Sequence, residues 1–152
     1  MRVSVIGGST VTDAQYRQAR EVGTLLAERG HDVVCGGLTG VMEAACRGAR
    51  EAGGHTVGIL PGEHTAAAND YVETAIATGL GNARNVLVVM NGAAVVAVDG
   101  GTGTLSELGH ALDMGRPVAG LGTHRIDGET GEHIEHVETP ADAVDYVESA
   151  GQ

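Results

Sequence analysis

Residues 95–107, VVAVDGGTGTLSE, decide the fold class of this chain. A run of apolar, mostly β-branched residues from Val95 to Val98 reads as a buried strand. Asp99-Gly100-Gly101 follows as a turn, and the stretch after it opens directly into a helix. Gly100, Gly101 and Gly103 have no Cβ, so the main chain there can approach a ligand closely. The first amides of the helix have no intrahelical acceptor, and the positive end of its dipole points the same way. Such a turn, with Thr102 and Thr104 beside it, is suited to a phosphate or a carboxylate.

The same strand–glycine–helix unit recurs upstream. Arg2 to Ile6 reads as a strand ending in Gly7-Gly8-Ser9. Thr12-Asp13-Ala14-Gln15 is a capping box, and the helix it starts runs to about Arg29, with Tyr16, Ala19, Val22 and Leu26 at helical spacing. His31 to Cys35 is a second strand, Gly36-Gly37 a second turn, and a second helix spans about Gly40 to Ala52. Thr56 to Leu60 is a third strand, halted by Pro61. A polar loop over 61–70 and a short strand over 72–77 come next. Residues 82–90 form a helix that is apolar on most faces, which predicts cover by a second subunit and hence a homodimer.

Beyond the opening stretch, a helix from about Thr104 to Met114 leads to a strand over 117–121. The His- and Glu-rich segment 122–137 reads as a polar loop or small hairpin, and Pro140 starts a last helix. Strands alternating with helices predict an α/β fold, a Rossmann-like three-layer α/β/α sandwich with a mainly parallel sheet, as one domain over 1–152. In such sheets ligands bind at the carboxyl ends of the strands. Those ends carry Gly7-Gly8, Gly36-Gly37 and Gly100-Gly101. Glu43 and Glu107 follow the second and third pairs at equal offsets, which predicts two carboxylates near one cleft.

Composition narrows the function classes. The formal net charge is −11 and all nine basic residues are Arg, so there is no Lys for a P-loop or a Schiff base. The acidic surface speaks against nucleic acid and anionic membranes as partners and suggests a salt-adapted host. With no Trp, no Phe and three Tyr, the chain lacks a platform for stacking bases. No apolar run reaches membrane-spanning length and no secretory leader is evident, so a cytoplasmic location is expected. Cys35 and Cys46 read as reduced core thiols. Motifs for P-loops, dinucleotide-binding Gly fingerprints and esterase nucleophile elbows are all absent.

The blocks GGLTGVMEAACRGAREAGGHTVGILP, TGLGNARN and DGGTGTLSE, in that order over about residues 1–121, resemble the LONELY GUY (LOG) superfamily of Rossmann-like proteins, often mislabelled lysine decarboxylases. The V-M-E after the second turn and the R-N dipeptide are similar to its compact branch, which includes molybdenum-cofactor carrier proteins. The resemblance implies a phosphorylated, nucleotide-like ligand, either an AMP-like nucleotide or a molybdopterin-type cofactor. In the enzymes of the superfamily, the bound nucleoside 5′-monophosphate is hydrolysed to release its base. Carried onto this chain, Gly100, Gly101, Gly103 and Thr104 match the phosphate loop, Glu107 the catalytic carboxylate and Arg84 the essential arginine. Asp99 stands where the enzymes have Pro, Asn85 where they have Lys, and Glu43 where they have a small residue. Ligand binding is therefore the expected function, with phosphoribohydrolase activity as the alternative.

Several of these residues carry a second reading. Thr104 to Glu107 is a T-x-x-E sequence, so Glu107 could close a capping box instead of facing a ligand. Arg84 could lie on a helix surface or in a subunit salt bridge, Glu43 could serve the helix dipole, and Asp99 could cap its turn or hold a ribose hydroxyl. Ser9 and Thr39 could donate to a ligand or cap locally. Asn69 and Thr78 are further candidate contacts. His124, His133 and His136 suggest a metal, but no third ligand stands at a convincing spacing, and a solvated acidic loop is the expected state.

Overall fold

A computed structural model describes residues 1–152. Seven strands form one sheet in the order β4-β3-β2-β1-β5-β6-β7, and all the pairings are parallel. The strands are β1 (Arg2–Gly7), β2 (Asp32–Cys35), β3 (Thr56–Leu60), β4 (Thr74–Ala77), β5 (Ala94–Val98), β6 (Val118–Leu121) and β7 (Ile134–His136). The helices are α1 (Asp13–Glu28), α2 (Val41–Glu51), α3 (Asn85–Met90), α4 (Thr102–Asp113) and α5 (Pro140–Ala150). The predicted α/β architecture is the observed one, with most boundaries moved by a residue or two.

Strand β5 is buried along its whole length, as a strand covered on both faces must be. One face of the sheet packs Val3, Val5, Val33 and Val96 under α1, α2 and α5. The other packs Ile6, Val34, Val95 and Ala97 under α3 and α4. Ser4 is the polar exception in β1; its hydroxyl donates to the Val88 carbonyl at 2.7 Å, tying the sheet to α3. The capping box of α1 forms as predicted, with Thr12 accepting from the Gln15 amide and Gln15 from the Thr12 amide.

Helices α1 and α2 meet main chain to main chain. A Cβ added at Gly23 would lie 2.0 Å from the Ala45 carbonyl oxygen, and one at Gly48 would lie 1.9 Å from that of Arg20. Any side chain at either position would force the helices apart.

Three expectations are corrected. Segment 122–137 is neither a plain loop nor a hairpin: a 3₁₀ turn, Glu129–His133, leads into β7, which joins β6 in parallel. Ile134, 5% exposed, anchors that strand in the core, but three residues are too few for a periodic signal. The helix predicted over 82–90 is split into a 3₁₀ turn, Gly81–Arg84, and α3. Its Val88 and Val89 fill the chain's own core, leaving Met90 exposed. The T-x-x-E capping box at 104–107 does not form, because α4 begins at Thr102 with Gly101 as its N-cap. No helix is long and apolar enough to cross a membrane.

Candidate functional site

Strand order reverses beside β1: the chain runs outward from β1 to β4, then returns to place β5 on the other side of β1. Loops diverge at such a point and leave a crevice at the carboxyl ends of the strands. A cleft of about 300 Å³ occupies this position, with Gly7, Gly8 and Ser9 along one wall and Gly101, Thr102, Gly103 and Thr104 along the other. Leu38, Met42, Asn82, Arg84, Asn85 and Glu107 complete it. A wider groove of about 460 Å³ lies over α1 and α2, but its walls are outward-facing charged side chains such as the ion pair Arg20–Glu51.

The two glycine-started helices differ at their N-termini. Val41, the first residue of α2, donates its amide to the Gly8 carbonyl at 3.0 Å. Gly40, its N-cap, has φ +68°, and a Cβ there would sit 2.2 Å from the same oxygen. The β1 turn thus plugs the start of α2. At α4, Gly101 provides no side-chain cap and the amides of Thr102, Gly103 and Thr104 find no acceptor. These three residues line the cleft, so the open helix start faces it.

Arg84 forms a base for the cleft and is 6% exposed. Its Nε donates to the Ile59 carbonyl at 2.8 Å and its Nη2 to that of Gly36 at 3.3 Å. Nη1 donates to Asn85 Oδ1, and Asn85 Nδ2 in turn reaches Ser106 Oγ at 3.2 Å. The guanidinium is therefore oriented by β3, by the β2 turn and by α4, with two of its five N–H groups left over. Gly36 is required for this approach, since a Cβ there would lie 2.7 Å from Nη2 and 2.8 Å from Met42 Sδ. Burial pulls the guanidinium below its ordinary pKa, while Glu107 and Cys35 oppose the shift.

Glu107, on the second turn of α4, is 7% exposed. No hydrogen bond holds its carboxyl group; burial pushes its pKa up to about 7, against the attraction of Arg84. An unpartnered acid at the base of a polar cleft is a candidate functional group.

Of the other expected residues, Ser9 lies in the cleft wall, and Thr39 donates to the Ser9 carbonyl at 3.0 Å, linking the first two turns. Gly37 and Gly100 support the turns without lining the cleft: Gly37 backs onto Leu60, and Gly100 onto Thr104. Asp99 adopts φ +53° at the end of β5, its carboxylate set against Gly8. Glu43 is not beside Glu107. It faces a neighbouring pocket with Thr39 and Asn69, where Tyr16 donates to it at 3.0 Å. Thr78 donates to the Leu60 carbonyl and lies outside the cleft. The three histidines are dispersed: His124 donates from Nε2 to the Gly101 carbonyl at 2.9 Å, while His133 and His136 line separate surface hollows. Cys35 and Cys46 are buried thiols with sulfurs 3.4 Å apart; Cys46 donates, which together with burial pushes its pKa up.

Leu38, Met42 and Asn82 line the cleft without having been anticipated. Met42 carried a signal, as it adjoins Glu43 on the first turn after the second glycine pair. Leu38 and Asn82 carried none, because their side chains reach the cleft through loop paths that periodicity does not encode.

The sequence from residue 1 to 151 matches the SLOG cluster4 family. The chain belongs to that family. Among solved structures, this SLOG cluster4 chain is similar to the molybdenum cofactor binding protein of the phototrophic bacterium Rippkaea orientalis. The two share 35% identity with a TM-score of 0.88, over 97% of this chain and 95% of the other. It is likewise similar to the molybdenum cofactor carrier protein of Chlamydomonas reinhardtii, at 32% identity and a TM-score of 0.86, over 98% and 97% of the two chains. An uncharacterized protein of Archaeoglobus fulgidus is 42% identical over 146 residues, covering 96% of this chain and 93% of that one.

Proposed function

We propose that this protein binds and carries a phosphate-bearing cofactor of the molybdopterin type, held in the cleft between the β1 and β5 turns. The observation that carries this reading is the open start of α4, which presents three free amides to the same cleft that Arg84 underlies. The phosphate takes the amides of Thr102 to Thr104, with the hydroxyls of Ser9 and Thr104 beside it. Arg84, already oriented, adds its two remaining N–H groups as charge-assisted donors. Gly7 and Gly8 keep the opposite wall low enough for the ligand to lie against main chain. Similarity to proteins named for binding or carrying this cofactor, at 32–35% identity along nearly the whole chain, supports the choice of ligand class.

The test is retention. Protein incubated with molybdenum cofactor and passed through gel filtration should keep pterin fluorescence and molybdenum in stoichiometric amount. Arg84→Ala should weaken retention by roughly 10- to 100-fold, the loss expected for a charged hydrogen-bonding partner. A folded wild-type protein that emerges free of both would overturn the reading.

A second reading, hydrolysis of a nucleoside 5′-monophosphate, rests on one observation: Glu107 is buried, unpartnered and shifted to about 7 in the same cleft as Arg84. A carboxyl group so placed can stabilise a developing ribosyl cation or activate water. Release of free base from AMP or an N6-substituted AMP, lost in Glu107→Gln, would make the protein an enzyme. Carriage requires no such turnover.

A further inference from the structure

Beside the cleft lies a second hollow of about 290 Å³, which Leu38 borders together with the first. Its walls include Thr39, Glu43, Asn69 and Tyr71. Three features make these walls an ordered surface. Tyr16 donates its hydroxyl to Glu43 Oε1 at 3.0 Å, which orients that carboxylate and leaves its second oxygen without a protein partner. Asn69 is fixed on both sides, donating to the Leu38 carbonyl at 2.8 Å and accepting from the Tyr71 amide at 3.0 Å. The Tyr71 ring is steadied by the Arg47 guanidinium 5.7 Å from its centroid.

An oriented carboxylate beside an aromatic side chain suits a flat heterocycle bearing two adjacent N–H donors on one edge. The phosphate chemistry next door makes no use of an acid here; a carboxylate repels an anion. We infer that the hollow is the ring subsite of the same ligand, and that Glu43 reads a 2-amino-4-oxopyrimidine edge by accepting from its exocyclic amine and the adjacent ring N–H. Pterins carry this edge, and so does guanine. Adenine does not. The inference rests on the carrier reading for the phosphate and deepens it by naming the residue that selects the ring. Tyr16 is a positioning residue that acts through Glu43.

The experiment compares four probes on the intact protein: 6-hydroxymethylpterin phosphate, its 2-oxo (lumazine) counterpart, GMP and AMP. Inorganic phosphate serves as a competitor that reports on the first cleft alone. The 2-amino member of each pair should bind at least about tenfold more tightly than its partner, since a charged acceptor facing an oxo group is left unpaired. Glu43→Gln, whose amide can both donate and accept, should bring the pterin–lumazine ratio to within about twofold, while phosphate competition stays unchanged. Tyr16→Phe should lower the ratio partway, again with phosphate unaffected. Equal binding of pterin and lumazine by the wild type overturns the subsite and leaves the carrier reading standing. Preference for GMP over AMP without pterin binding supports the edge-reading role of Glu43 and removes the carrier assignment. Absence of binding by all four probes removes both.

Discussion

The β2–α2 and β5–α4 units share a pattern: an apolar strand, a glycine pair, a glycine N-cap and a Glu at the same offset. Their outcomes diverge. At α2 the Gly8 carbonyl occupies the helix start, and Glu43 is half-buried with a hydroxyl donated to it. At α4 the start is open, and Glu107 is buried with no partner. The residue before the glycine pair differs too: Cys35 is buried in the core, whereas Asp99 stands in the left-handed region against Gly8. The same glycine-to-Glu spacing thus yields a helix start closed by the Gly8 carbonyl in one unit and an open one in the other, and the β1 turn makes the difference. Strand β1 lies between the two, and its turn leans on α2.

The sharpest way to break this contrast is at the two N-caps. Gly40→Ala must place a Cβ against the Gly8 carbonyl at a positive φ, and should destabilise the protein by about 4 kcal/mol. Gly101→Ala meets nothing within 4 Å and should change stability by less than about 0.5 kcal/mol. Urea midpoints of the two variants decide it; equal costs would mean that the two starts are not differently plugged.

The carboxylates give the next largest effect. Glu107 has its folded pKa raised from 4.5 to about 7, so the native state holds a proton that the unfolded chain has released between those values. Its favourable contribution is complete below about pH 4.5 and is lost as pH rises through about 7, a span worth roughly 3 kcal/mol. Glu107→Gln should therefore exceed wild-type stability by up to that amount at about pH 8 and converge with it near pH 4.5. A stability difference that is flat with pH would show that Glu107 is not held neutral by its surroundings.

A smaller effect than that of Glu107 belongs to Asp99. Replacement by Gly relieves the positive φ of +53° but adds freedom to the unfolded chain, so Asp99→Gly should shift stability by less than about 1 kcal/mol. A thermal melt suffices to check it.

The strand and helix pattern was legible because each element is short, periodic and ended by Gly or Pro, and because all the strands but β7 carry enough apolar residues to reveal themselves. Arg84 and Glu107, 23 positions apart in sequence and on different elements, do meet in one cleft, as the family blocks implied. Glu43 shows what was not legible. Spacing puts it where Glu107 stands in its own unit, but the Leu38–Gly40 turn makes α2 start later after its glycine pair than α4 does, so Glu43 lies on the first turn and faces the adjoining hollow, where Tyr16 donates to it. Such a turn path depends on long-range contacts, like the bond from Asn69 to Leu38, that no local pattern records. The capping reading of Glu107 fails for a related reason: the N-cap of α4 is Gly101, three residues before Thr104, so Thr104 lies inside the first turn.

The backbone contact between α1 and α2 has a mechanical consequence. Sliding one helix along the other would drive Gly23 into the Ala45 carbonyl and Gly48 into that of Arg20. The turns that precede these helices, at Ser9 and Thr39, are themselves bonded. That side of the cleft must move as one body, like the fixed jaw of a vice. Any widening of the cleft falls to the opposite wall, Gly101 to Thr104, while Arg84, bonded to the Ile59 and Gly36 carbonyls, stays with the fixed jaw.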